Sequence, residues 1–183
     1  MKTIAGFLRK LRQRNDGVSA VEFAVLAPIL LFILAATLDF GMVLYARFNL
    51  NEAVSASINY AMVSATNVSS MNGASLATSL AAIIPSAFGA NVVINNGPAT
   101  QRTGGATTTS GTATNADLCY CPTLSGTAIS WGSSATCASA CSKGGVAGKF
   151  VAVTAIESYT PLFSNYGIVQ SGIISISALA QVQ

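Results

Sequence analysis

The chain has 183 residues, room for one modest domain plus an anchor. Its mean hydropathy is +0.57 and only 8% of its residues are charged, against about 25% in an average soluble domain, which argues against a wholly water-soluble protein. There is no histidine, which removes histidine general bases, Ser-His triads and histidine metal ligands together.

Residues 1–17 read as a basic leader. Lys2, Arg9, Lys10, Arg12 and Arg14 stand there against Asp16 alone, so the positive excess behind the net +3 lies in this stretch. The remaining residues are nearly neutral and hold no basic patch to meet phosphates, so no nucleic-acid partner is expected.

An apolar run follows at once. Phe23 to Leu38 carries no charge, and the run continues past Asp39 to Tyr45. As a helix, Phe23 to Tyr45 spans about 34 Å, enough for a hydrocarbon core of about 30 Å. The basic cluster precedes the helix, which predicts a cytoplasmic N-terminus and an exported remainder. Pro28 removes one backbone hydrogen bond and should bend the helix. Asp39 is expected at the outer membrane interface, where a carboxylate costs little, and Arg47 at a headgroup or on the surface.

The helix is expected to run on, over roughly Ser19 to Thr66. Val43, Leu50, Val54, Ile58, Ala61 and Ala65 share one face at helical spacing, interrupted by Arg47 and edged by Ser57. The alternative is two helices broken near Asp39. A shorter helix is predicted over Ala74 to Ile84, ended by Pro85. Val92 to Ile94 reads as a strand closed by Asn95-Asn96-Gly97. Residues 98–116, rich in Thr, Gly, Ala and Ser, read as a surface loop or a poorly ordered insertion.

Cys119, Cys121, Cys137 and Cys141 fall in the next segment, with Ala128 to Trp131 as a strand inside it. A four-cysteine zinc site is conceivable, but outside the cytoplasm disulfides are favoured. Four cysteines allow three pairings, and the nested pair 119–141 with 121–137 is preferred. Phe150 to Tyr159, and the alternation of Ile174, Ile176, Ala178, Ala180 and Val182 with polar residues, predict two strands. Thr160-Pro161 and Asn165-Tyr166-Gly167 supply turn chemistry between them. The fold class is therefore α+β. A transmembrane helix extends into a small exported domain, whose antiparallel sheet packs on the helix's apolar face.

The junction Asn15-Asp16-Gly17-Val18-Ser19-Ala20-Val21-Glu22-Phe23 is the most informative stretch. A carboxylate in an apolar anchor is costly and calls for a partner. A cut after Gly17 would create one, the positive α-amine of Val18. Gly17 with Glu22 and Phe23 five and six residues on resembles the processing site of prepilins. Ser19 to Pro28, Leu38-Asp39-Phe40-Gly41, Tyr45-Ala46-Arg47 and Ala61 after Asn59-Tyr60 resemble TadE-like proteins of tight-adherence (Flp-type) pili. The likeness covers roughly residues 14–62, with Phe23 where tyrosine is common in this pilus class. Residues 98–145 resemble nothing recognisable.

The resemblance implies cleavage at Gly17–Val18 by a membrane prepilin peptidase, with Glu22 and Phe23 serving recognition and assembly. It also implies other pilus subunits and assembly-platform proteins as partners, an inner-membrane location with either entry into a pilus or retention in the membrane, and a role in adhesion and biofilm formation. The long C-terminal region argues against the very short major pilin. The domains are then a leader over 1–17, a helix over 18–66, and an exported α+β domain over 67–183. That domain contains the loop 98–116 and the cysteine segment 119–141.

Two rivals remain, an ordinary secretory signal cut near Ala35-Ala36-Thr37 and an uncut anchor, each bearing an exported binding domain. No cofactor, metal or small-molecule substrate is expected. Glu52, Asp117 and Glu157 do not pair at a spacing suited to acid–base chemistry, so catalysis is not expected.

Overall fold

A computed structural model describes residues 18–163 and 172–183. The basic leader, Gly17 and the Asn165-Tyr166-Gly167 turn lie outside the described residues. The chain divides into two compact units, Met1–Met42 and Val43–Gln183.

Helix α1 runs without interruption from Val18 to Val63, through Pro28 and past Asp39. Of the two expectations, one helix is therefore correct, and it ends slightly earlier than Thr66. Ser64 N–H donates to the Tyr60 carbonyl, and a 3₁₀ turn over Ala65–Asn67 follows.

Within the second unit, Val43, Ala46, Leu50, Val54, Ser57 and Ala61 of α1 are buried at steps of three and four. Such spacing aligns one face of a helix with a core. Ile58 packs against that core partly exposed. Ala46 and Ala53 join the buried face, which lies slightly round from the predicted one and leaves Arg47 outside. Ser57 is fully buried and donates its hydroxyl to the Leu80 carbonyl at 3.2 Å, so its polarity is satisfied where it packs.

Helix α2, Gly73–Ile83, buries Leu76, Ala77, Leu80 and Ala81. It stops where Ile84 turns extended ahead of Pro85, as proline disfavours helical conformation in the residue before it.

The main sheet has five strands: β1 (Gly89–Ile94), β2 (Ala99–Thr103), β3 (Ala106–Ser110), β6 (Phe150–Ser158) and β7 (Ile173–Gln181). Their order is β3-β2-β1-β6-β7, and every pairing is antiparallel. Ala90, Val92 and Ile94 stand opposite Ala155, Val153 and Val151, and all six are buried. On β7 the predicted alternation places Ile174, Ile176, Ala178 and Ala180 opposite the β6 residues Glu157, Ala155, Val153 and Val151. Only Ile174 of these four is fully buried, as β7 is an edge strand of the sheet.

Residues 98–116 are not a loop. They form β2, β3 and a 3₁₀ turn over Ala113–Asp117. Two tight turns make this possible. Asn95 and Asn96 (φ 50° and 56°) join β1 to β2, and Gly104 and Gly105 (φ 57° and 84°) join β2 to β3. Paired left-handed residues match the twist of a hairpin. The threonines that suggested low complexity are β-branched and suit strands.

The cysteine segment forms a small lobe. It contains the hairpin β4 (Thr123–Ser125) with β5 (Ala128–Ser130). Isolated bridges pair Cys119 with Ala135, Tyr120 with Gly148, and Ala140 with Val146. All four cysteines are oxidised, but the pairing is 119–137 and 121–141, overlapping instead of nested. The reason is tertiary. The Cys119–Ala135 bridge brings the chain bearing Cys137 alongside Cys119, and the turn at Ala138, with φ 64°, carries Cys141 on to Cys121.

Candidate functional site

The part of α1 within the first unit is a bare apolar helix. Val21, Phe23, Val25, Leu26 and the run from Ile29 to Leu34 are all more than half exposed. The span is long and apolar enough to cross a membrane, and its most apolar window buries nothing. That distinguishes it from the core helix of a soluble protein, which would hide such residues.

Val18 and Glu22 are four positions apart in α1, the spacing at which helix positions are neighbours on one face. Glu22 is exposed and is the only charged residue between Val18 and Leu38. Phe23 beside it is 67% exposed. Glu22 and Asp39 are separated by about 26 Å of helix, so the structure does not bring these two carboxylates together.

Asp39 has no solvent-accessible surface, whereas Leu38 and Phe40 on either side of it are exposed. Burial of a carboxylate requires that its desolvation be compensated within the protein. Arg47, two turns further on, is exposed. The cysteines lie in the second unit, fully used in disulfides.

Two polar side chains that sequence reasoning passed over organise the second unit. The Arg102 guanidinium, on β2, donates to the carbonyls of Ala81, Ile84 and Pro85 at 2.9, 2.6 and 2.8 Å. It thereby closes the C-terminal end of α2, where carbonyls otherwise lack partners. Asn95, fully buried, places its amide nitrogen within reach of the carbonyls of Asn115, Ala116 and Leu118. A lone arginine in a Thr-rich stretch was the available signal for the first. Asn95 offered none beyond turn chemistry.

Asp117 is held below its ordinary carboxylate value. Hydrogen bonds from the Ser70 side chain and backbone are the main cause, and the Lys149 charge adds to them. Lys149 itself donates to the Val68 carbonyl at 3.0 Å. Together these contacts fasten the segment after α1 to the start of the cysteine lobe and to the residue before β6.

No curated protein and no solved structure matches the chain significantly. Residues 17–58 do match the family model of the TadE-like protein. The match takes in Gly17, Glu22, Asp39 and most of α1, and it ends before the sheet begins. The N-terminal segment of this chain, over residues 17–58, is thus similar to the TadE-like protein family.

Proposed function

We propose that the chain is made as a precursor, cut between Gly17 and Val18 by a prepilin peptidase, and used as a structural subunit in assembling a tight-adherence pilus. The role is structural and not catalytic. The observation that carries it is the bare apolar helix of the TadE-like segment, whose charge before Leu38 is Glu22 alone, one turn beyond Val18. A free α-amine at Val18 would be positive at neutral pH and would neutralise that carboxylate within its own helix or on a neighbour.

In this reading the N-terminus faces the cytoplasm and the sheet domain lies in the periplasm. The basic leader supports that orientation, and two disulfides in the sheet domain fit an oxidising compartment. The helix holds the subunit in the inner membrane until neighbouring pilus helices replace lipid around it.

Sequencing the mature N-terminus from membranes tests the proposal. Val18 is the expected first residue. Met1 would indicate an uncut anchor, a residue near Leu38 would indicate an ordinary secretory signal, and either would overturn the reading. Replacing Gly17 with a bulky residue should leave the leader attached.

A further inference from the structure

The cysteine lobe contains a cleft that an anchoring helix does not account for. Its volume is about 340 Å³, at the lower end of the ~300–1,000 Å³ typical of small-ligand sites. Thr123 follows Cys121 on one wall, Lys143 follows Cys141 on the other, and the Cys121–Cys141 disulfide ties the walls together. Ser130 of β5, Phe150 of β6 and Gln181 of β7 complete the lining. The cleft is therefore lined by four strands and a covalent clamp.

The electrostatics favour an anion. Between Asp117 and Glu157 the chain carries Lys143 and Lys149 and no acid. Lys149 is committed to the Val68 carbonyl. Lys143 is exposed and, among the described residues, has no hydrogen-bond or ion-pair partner. It is the charge available to a ligand in the cleft. The other groups are not those of a bare anion site. Thr123 and Ser130 offer hydroxyls that both donate and accept, Gln181 offers its amide oxygen while its amide nitrogen donates to the Gln183 carbonyl at 3.3 Å, and Phe150 offers an apolar wall.

We propose that this cleft binds a small acidic saccharide of the uronic-acid class. Its carboxylate meets Lys143, its hydroxyls meet Thr123, Ser130 and Gln181, and its apolar ring face lies against Phe150. A free phosphate would use Lys143 and leave the remaining lining idle, whereas a neutral sugar would leave the lysine unanswered. The proposal stands on the second unit alone and does not rest on the pilus reading, so a failure of one leaves the other intact.

The test is a titration of the full-length, isotope-labelled chain in detergent micelles, followed by backbone amide resonances. The probes are glucuronate, glucose and inorganic phosphate. Glucuronate should shift the resonances of Ser130, Lys143 and Gln181 saturably, with a Kd on the order of 1 mM. Glucose and phosphate should bind about tenfold more weakly or not at all, as expected when either the charged bond or the hydroxyl contacts are missing. Lys143→Ala should lose the response while keeping both disulfides, checked by mass spectrometry without reduction, and Lys143→Arg should restore it. Absence of a saturable shift, equal binding of phosphate or glucose, or an unchanged response in Lys143→Ala would each overturn the proposal.

Discussion

The side-chain amide of Asn95 lies 2.6 Å from the Leu118 carbonyl, and through that bond the β1–β2 turn holds the entrance to the cysteine lobe. The same side chain accepts from Phe150 N–H at 3.1 Å, while Asn95 N–H donates to the Phe150 carbonyl at 2.8 Å. One buried asparagine thus joins the turn, the residue before Cys119 and the first residue of β6. Asn95→Ala leaves buried carbonyls without a donor and should cost about 2–4 kcal/mol. Denaturant unfolding of the full chain, followed by Trp131 fluorescence, measures it. Asn95→Asp should be no better, because it turns an acceptor toward those carbonyls.

Arg102 makes a comparable prediction about helix α2. Its terminal nitrogens satisfy carbonyls at the helix end, and the planar fork reaches several at once. Arg102→Ala should lower stability by about 1–3 kcal/mol. Arg102→Lys should recover only part of that loss, since a single ammonium cannot reproduce the fork. Equal stability of the lysine variant and the natural chain would contradict this account.

Asp117 sets a pH dependence. Its folded-state pKa is lowered, chiefly by the Ser70 hydrogen bonds. The stabilisation is therefore fully present above the unfolded value of about 3.9 and is lost as pH falls through the lower folded value. Melting temperatures from pH 6 downward should fall more steeply below pH 4 in the natural chain than in Asp117→Asn. Parallel curves would remove Asp117 from the explanation.

The disulfide pairing is directly measurable. Proteolysis without reduction should yield fragments linking Cys119 to Cys137 and Cys121 to Cys141. Replacing one pair by serines should cost about 2–4 kcal/mol, the usual range for loops of this length. The five-stranded sheet should survive, because its buried residues lie outside the lobe.

Glu22 should matter for assembly and not for the sheet domain. It is exposed in the first turns of α1 and belongs to the other compact unit. On the proposed precursor reading, Glu22→Ala should be exported, cut and oxidised normally, while pilus formation drops sharply because the amine of a mature Val18 would be left unpaired. Normal pilus numbers in that variant would refute the role.

Much was legible in the chain itself because the deciding forces were local. A charge-free run long enough to cross a bilayer and a 3.6-residue spacing predict α1. Pro85 ends α2, and alternation predicts β6 and β7. The junction around Gly17 and Glu22 points to the TadE-like family from residue types at fixed separations, and the family match over residues 17–58 agrees. What stayed hidden depended on contacts between distant parts of the chain. The Thr-rich stretch reads as a loop by composition, and becomes strands only because β1 offers β2 an edge and β2 offers one to β3. Asn95 and Arg102 look like surface polar residues until carbonyls 14 to 23 positions away need donors. Asp39 is fully buried, and that burial is decided by packing that sequence spacing does not encode. Four cysteines in one segment imply two disulfides, but which sulfurs meet is decided by the bridge from Cys119 to Ala135 and the turn at Ala138. Hydrophobic periodicity and family resemblance are written in neighbouring residues, whereas hydrogen-bond partners and sulfur pairs are chosen only when the chain has folded.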